Sequence, residues 1–179
     1  MDSKYFLMLS ELFEQFRRQA LLLLKDAEAA GFLDDLTNCY NRNAFNVRKE
    51  QLDSLINVGV VYADVNGLKR VNDRHGHEAG DLLLKDLSRI LKAYFGGNNV
   101  FRLGGDEFIV LIPNAREDIL KNLVEDFRIT IDSTRKTNVA IGWGFTTKDK
   151  NLDIIIKETE MDMYIDKDNF YQMNPELQR

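Results

Sequence analysis

One stretch limits what this chain can become. Val100-Phe101-Arg102-Leu103-Gly104-Gly105-Asp106-Glu107-Phe108-Ile109-Val110-Leu111-Ile112 sets two apolar, β-branched runs on either side of a two-glycine break. That pattern predicts a hairpin with a two-residue turn, Gly104-Gly105 supplying the positive φ angles of a primed turn. Asp106 and Glu107 follow at once. Adjacent carboxylates repel and are costly to bury unpaired. They form either a solvated acidic turn or part of a metal site, since hard cations such as Mg²⁺ take clustered carboxylate oxygens.

The flanking segments supply the partners. Asn57-Val58-Gly59 leads into Val60-Val61-Tyr62-Ala63-Asp64-Val65, a buried central strand by its pattern, with Asp64 unexpectedly at its end. Leu68 to Asp73 is a short helical turn, and Asp81 to Phe95 is an amphipathic helix with Leu83, Leu84, Leu87, Ile90, Leu91 and Tyr94 in phase. Arg116 to Asp132 repeats that pattern through Ile119, Leu120, Leu123, Val124, Phe127 and Ile131. Asn138 to Phe145 is the fourth strand, and a last helix spans about Leu152 to Asp168. Earlier, Asn43 is the expected cap of a helix from Ala44 to about Leu55. The core order strand, helix, strand, strand, helix, strand is the α+β, ferredoxin-like βαββαβ arrangement, an antiparallel sheet with both crossover helices on one face. It lays the first strand beside the hairpin in mid-sheet and brings Asp64 towards Asp106 and Glu107. Polymerase palms and nucleotide cyclases share this plan, so a two-metal nucleotidyl transfer enzyme is the topological expectation.

Residues from about Lys4 to Ala30 lack Pro and Gly and step through Phe6, Leu9, Phe13, Phe16, Ala20, Leu23 and Ala27. They read as one helix, packed on its own domain or paired as a signalling coiled coil. The bulk numbers exclude several classes. A net charge of −5 with no Lys/Arg block argues against nucleic-acid binding. Cys39 stands alone, so no intrachain disulfide forms. The Leu21–Leu24 run is too short for a membrane span. His75 and His77 lack a cysteine partner or a matching histidine pair, which disfavours zinc.

Gly104-Gly105-Asp106-Glu107-Phe108 matches the signature of the GGDEF family of diguanylate cyclases. Asp34-Asp35-Leu36-Thr37 with Tyr40-Asn41-Arg42 resembles the segment that opens that domain, and Asp64 to Asp73 resembles its D-x-D-x-F-K-x-x-N-D segment. Gly76-His77, Gly80-Asp81 and Leu84 follow at the family spacing. The resemblance covers roughly Asp34 to Lys167. It implies an N-terminal signalling helix over 1–31, a GGDEF domain over 32–170, and a tail over 171–179 similar to the connector leading into an EAL-type phosphodiesterase.

The chemistry implied is condensation of two GTP into cyclic di-GMP and pyrophosphate across a homodimer, with Mg²⁺ or Mn²⁺. By position, Asp64, the Val65 carbonyl, Asp106 and Glu107 are the implied metal ligands. Asp106 is also the implied proton acceptor, with Glu107 beside it in the catalytic pair. Asn72 and Asp81 are the implied guanine readers, His77 lies near base or ribose, and Lys69 and Lys167 meet the triphosphate. The implied setting is cytoplasmic, with an upstream sensor, in a chain of its own or as part of a larger membrane-bound protein. Departures are Asn66 and Leu68 in the second segment, and Tyr171 where the family often has a phosphate-gripping Arg. Phe95 and Asn98 replace the R-x-x-D of the inhibitory product site, so no feedback through that site is expected. Two other readings compete with catalysis: a non-catalytic GTP-binding module controlling an attached phosphodiesterase, and simple dimerisation through the N-terminal helix.

Overall fold

The computed structural model describes residues 12–19, 31–134 and 138–177. The chain divides into two compact units, Met1–Leu33 and Asp34–Arg179. In the first, residues 12–19 are helical, with Leu12, Phe13 and Phe16 exposed. The remainder of the helix expected over 4–30 lies outside the described residues.

The second unit contains α1 (Arg42–Leu52), β1 (Gly59–Asn66), α2 (Leu68–His75), α3 (His77–Phe95), β2 (Val100–Gly104), β3 (Glu107–Ile112), α4 (Glu117–Thr134), β4 (Asn138–Phe145) and α5 (Leu152–Met173). The strands form one antiparallel sheet in the order β2-β3-β1-β4. This is the ferredoxin-like α+β arrangement. Only β3 of the hairpin touches β1; β2 forms the sheet edge.

All eight residues of β1 are buried, because both faces of the strand are covered. Val61, Ala63 and Val65 join one core with Leu84, Leu87 and Leu91 of α3 and Leu120, Val124, Phe127 and Ile131 of α4. Alternation sends Val60, Tyr62 and Asp64 to the opposite face. There α5 lies across β4, so close that a Cβ on Gly142 would sit 2.0 Å from the Thr159 carbonyl oxygen. The last helix therefore packs on the other side of the sheet from α3 and α4, and Asp64 points to that side.

Several boundaries differ from the expectation. Asn41, not Asn43, caps α1, its side chain accepting from the Asn43 and Ala44 amides. Ile119 is exposed, while Leu120, Val124, Phe127 and Ile131 carry the buried face of α4. Helix α5 runs five residues past Asp168, which puts Tyr171 on a helix rather than in a loose tail. The hairpin turn is Gly105-Asp106, one residue later than expected. Gly104 belongs to β2 and pairs with Glu107 after a bulge at Arg102/Gly104. Of the two turn residues only Gly105, at φ 53°, needs the left-handed region.

Candidate active site

Sheet register builds the acidic centre. Asp64 on β1 lies directly opposite Glu107 on β3. The Val65 amide donates to the Asp106 carbonyl across 3.4 Å, tying the turn to the end of β1. Asp64 is 3% exposed, and Lys167 from α5 donates to its carboxylate at 2.6 Å.

Burial pushes the Asp64 carboxyl up to about 6, opposed by the Lys167 hydrogen bond and reinforced by the charges of Asp106 and Glu107. Glu107 is also raised, by burial first, then by Asp106 and Glu160. Burial disfavours the Lys167 ammonium, but its bond to Asp64 and the nearby Asp106 outweigh that and raise it. The carboxyl is the more deeply desolvated, with its side chain 4% exposed against 22% for lysine, so it carries the strain and Lys167 remains charged.

Among the described residues no group of three His, Cys, Asp or Glu side chains closes on one point as metal ligands do. The acidic trio shares one end of the sheet without forming the closed cluster that the sequence suggests, and an ammonium holds Asp64. The donor set still suits a hard cation: only oxygen ligands are offered, and their mutual repulsion is what a divalent ion relieves.

The other sequence candidates fall on α2, α3 and α5. Asn72 of α2 lies against Gly80 of α3, where an added Cβ would come within 2.0 Å of Asn72 Oδ1. That Oδ1 is sealed from solvent and has no hydrogen-bond partner among the described residues. Asp81 follows Gly80 directly, so it stands one residue from the point where the Asn72 side chain meets α3. Lys69 and His77 are exposed on α2 and α3, and neither hydrogen-bonds to the trio. Tyr171, one turn after Lys167 on α5, accepts the Gly67 amide on its hydroxyl at 3.0 Å. Phe95 is buried and packs edge-on against Phe127.

Sequence reading missed the group that fixes the turn. Arg102 donates from Nε and Nη2 to the Gly105 carbonyl at 3.1 and 2.7 Å, and from Nη1 to both Asp34 oxygens at 2.9 and 3.1 Å. Arg42 donates to the Leu103 carbonyl at 2.9 Å. The usable signal was a lone cation three residues before a turn that carries one carboxylate and is followed at once by another. Burial raises Asp34, but the Thr37 hydroxyl and amide and Arg102 together leave its carboxyl below the ordinary value of 3.8. A depressed carboxyl stabilises the fold above that range and ceases to do so as pH falls through its folded value. Arg102→Ala should therefore cost about 2 kcal/mol at neutral pH, the usual scale for a charged hydrogen bond. The gap to wild type should narrow as pH drops on the acid side of 3.8. Urea melts at two pH values measure this; an equal gap at both would dissociate Asp34 from the effect.

The family profile described as "Diguanylate cyclase, GGDEF domain" matches residues 31–172. The chain belongs to the GGDEF family. YhcK of Bacillus subtilis is 33% identical over 119 residues, covering 63% of this chain and 33% of that protein. A Staphylococcus aureus (strain USA300) membrane protein is 34% identical over 102 residues, covering 51% of this chain and 29% of its own length. The chain thus spans about a third of these curated relatives. Among solved structures, the coiled coil and GGDEF domain of DgcB from Caulobacter crescentus, in complex with c-di-GMP, superposes with TM-score 0.71 at 17% identity, covering 93% of this chain and 96% of that one. Diguanylate cyclase SiaD with its activator SiaC from Pseudomonas aeruginosa gives TM-score 0.69 at 22% identity, over 93% and 68%. At these identities the likeness concerns the fold. Among the described residues no helix is long and apolar enough to cross a membrane.

Proposed function

We propose that this GGDEF domain is a diguanylate cyclase, joining two GTP into cyclic di-GMP across a homodimer with release of two pyrophosphates. The observation carrying this reading is the register that sets Asp64 opposite Glu107 while the Val65 amide holds the Asp106 backbone. Asp64, the Val65 carbonyl, Asp106 and Glu107 would hold Mg²⁺ or Mn²⁺, which supplies charge neutralisation and a more acidic attacking hydroxyl. Asp106 takes the proton of the 3′-hydroxyl. Lys167 and Lys69 offset triphosphate charge, Lys167 moving from the Asp64 carboxylate to the substrate. Asn72 and Asp81 read guanine, an aspartate accepting the N1–H and 2-amino donors that adenine lacks. His77 borders base or ribose. The domain would work in the cytoplasm, where GTP is, under an upstream sensor.

One observation favours a second reading, a GTP-binding module that regulates an attached EAL-type phosphodiesterase. Tyr171 stands where the family often has an arginine, and its hydroxyl is already engaged by the Gly67 amide. Incubation with GTP and Mg²⁺, with detection of cyclic di-GMP, separates the two. Saturable GTP binding without product at high protein concentration would replace the cyclase by the module.

Gly80 gives a sharper test of base recognition. The clash of a Cβ there is with the far end of the Asn72 side chain, which can swing away. Gly80→Ala should therefore fold normally while GTP affinity falls about tenfold, the loss expected for roughly one hydrogen bond. Unchanged GTP affinity would remove Asn72 from the guanine site.

A further inference from the structure

A cleft of about 210 Å³ opens between α2, the end of α5 and the first residue of β4. It is not the guanine site. Arg70, Val71, Arg74 and His75 line it, and these share one face of α2 at helical spacing, whereas Asn72 is absent from the lining and faces Gly80. Its chemistry has three parts. Arg70 and Arg74 both line the α2 wall, so two cationic side chains border the cleft. Arg70 donates from Nη1 to the Glu176 carbonyl at 2.5 Å, which anchors it with further donors to spare. Val71, Leu83 and Phe170 supply an apolar and aromatic surface. Asn66, 7% exposed, also lines the cleft, and its buried Oδ1 has no hydrogen-bond partner among the described residues. An unpaired buried acceptor is costly and calls for a donor.

We propose that this cleft is a second ligand site, taking a purine nucleoside monophosphate. The phosphate meets the guanidiniums, which favour that anion by charge and fork geometry. The purine lies against Phe170 and the aliphatic floor. Asn66 Oδ1 is sealed from solvent as the side chain stands, so its amide turns toward the cleft to accept an N–H of the base. The volume sets the size class: drug-sized ligands occupy roughly 300–1,000 Å³, so a cleft this small suits a mononucleotide in part enclosed and not a dinucleotide. The proposal does not depend on cyclisation, because no group in the acidic trio takes part.

Calorimetric titration of the full chain with AMP tests it. Adenine lacks the donors that Asp81 is proposed to read, so AMP favours the cleft. Saturable binding is expected in wild type and within about twofold in Asp81→Ala. It should fall at least about tenfold in Arg74→Glu, the scale of one charged hydrogen bond, and fall in Phe170→Ala. Arg74 is exposed, so its variant should fold, checked by circular dichroism. Binding lost in Asp81→Ala but kept in Arg74→Glu would assign AMP to the guanine site and overturn the proposal. So would inorganic phosphate binding as tightly as AMP, since the ring contacts would then count for nothing, or no saturable AMP binding at millimolar concentration.

Discussion

Asp106→Ala is expected to remove cyclic di-GMP synthesis almost entirely, by about a thousandfold or more. Loss of a single preorganised stabilising group typically costs about 10²–10³ in rate. Here one substitution would take both a metal ligand and the proton acceptor, so the effects combine. The fold should survive. Asp106 is a partly exposed turn residue, and the contact that docks the turn uses its backbone carbonyl, which alanine keeps. The alanine variant should therefore melt close to wild type while product formation, followed by chromatography, disappears. Removal of one negative charge beside Asp64 should also ease that carboxyl downward, since Asp106 is among the charges that raise it. A variant retaining more than about a tenth of wild-type turnover would contradict the roles given to Asp106.

The fold was legible because its signals are local and repeat. The apolar phase of α3, the apolar run of β1 and the glycine break between β2 and β3 each follow from a few neighbouring residues, and together they leave few topologies open, although the turn itself falls one residue later than the glycine pair suggests. The acidic trio was singled out for a different reason: three carboxylates at strand ends and a hairpin tip are costly unless something uses them. What escaped were contacts made across long chain separations. Arg102 finds Asp34 only when the sheet edge meets the opening loop, and Tyr171 finds Gly67 only because α5 continues past Asp168. Nothing local announces either pairing. Nor could sequence show that Lys167 would hold Asp64, or that the three carboxylates would share one end of the sheet without closing on one point among the described residues.

Gly142→Ala is expected to be the most damaging substitution in the sheet, costing about 3 kcal/mol or more, at or beyond the upper end of ordinary overpacking. A Cβ at Gly142 would stand 2.0 Å from the Thr159 carbonyl oxygen and 2.7 Å from the Met163 amide nitrogen, both backbone atoms of α5. Backbone cannot rotate aside, so the helix itself must lift from β4. Gly144→Ala is the control. Its Cβ would meet Thr159 Oγ1 at 2.6 Å and Ile155 Cγ2 at 2.9 Å, atoms of stiff β-branched side chains rather than backbone, so α5 need not lift as a whole and the cost should be smaller. The consequence reaches the acidic centre. Lys167 lies one turn beyond Met163 on α5, so lifting that helix draws the ammonium from Asp64 and leaves a buried carboxylate uncompensated. Gly142→Ala should thus lose stability in urea melts and lose GTP turnover in the fraction that stays folded, whereas Gly144→Ala keeps most of both. If Gly142→Ala yields no soluble protein while Gly144→Ala does, the same ranking appears in a stronger form. Equal stability of the two variants would mean that α5 yields easily, and that Lys167 is not held on Asp64 by the packing of this helix on β4.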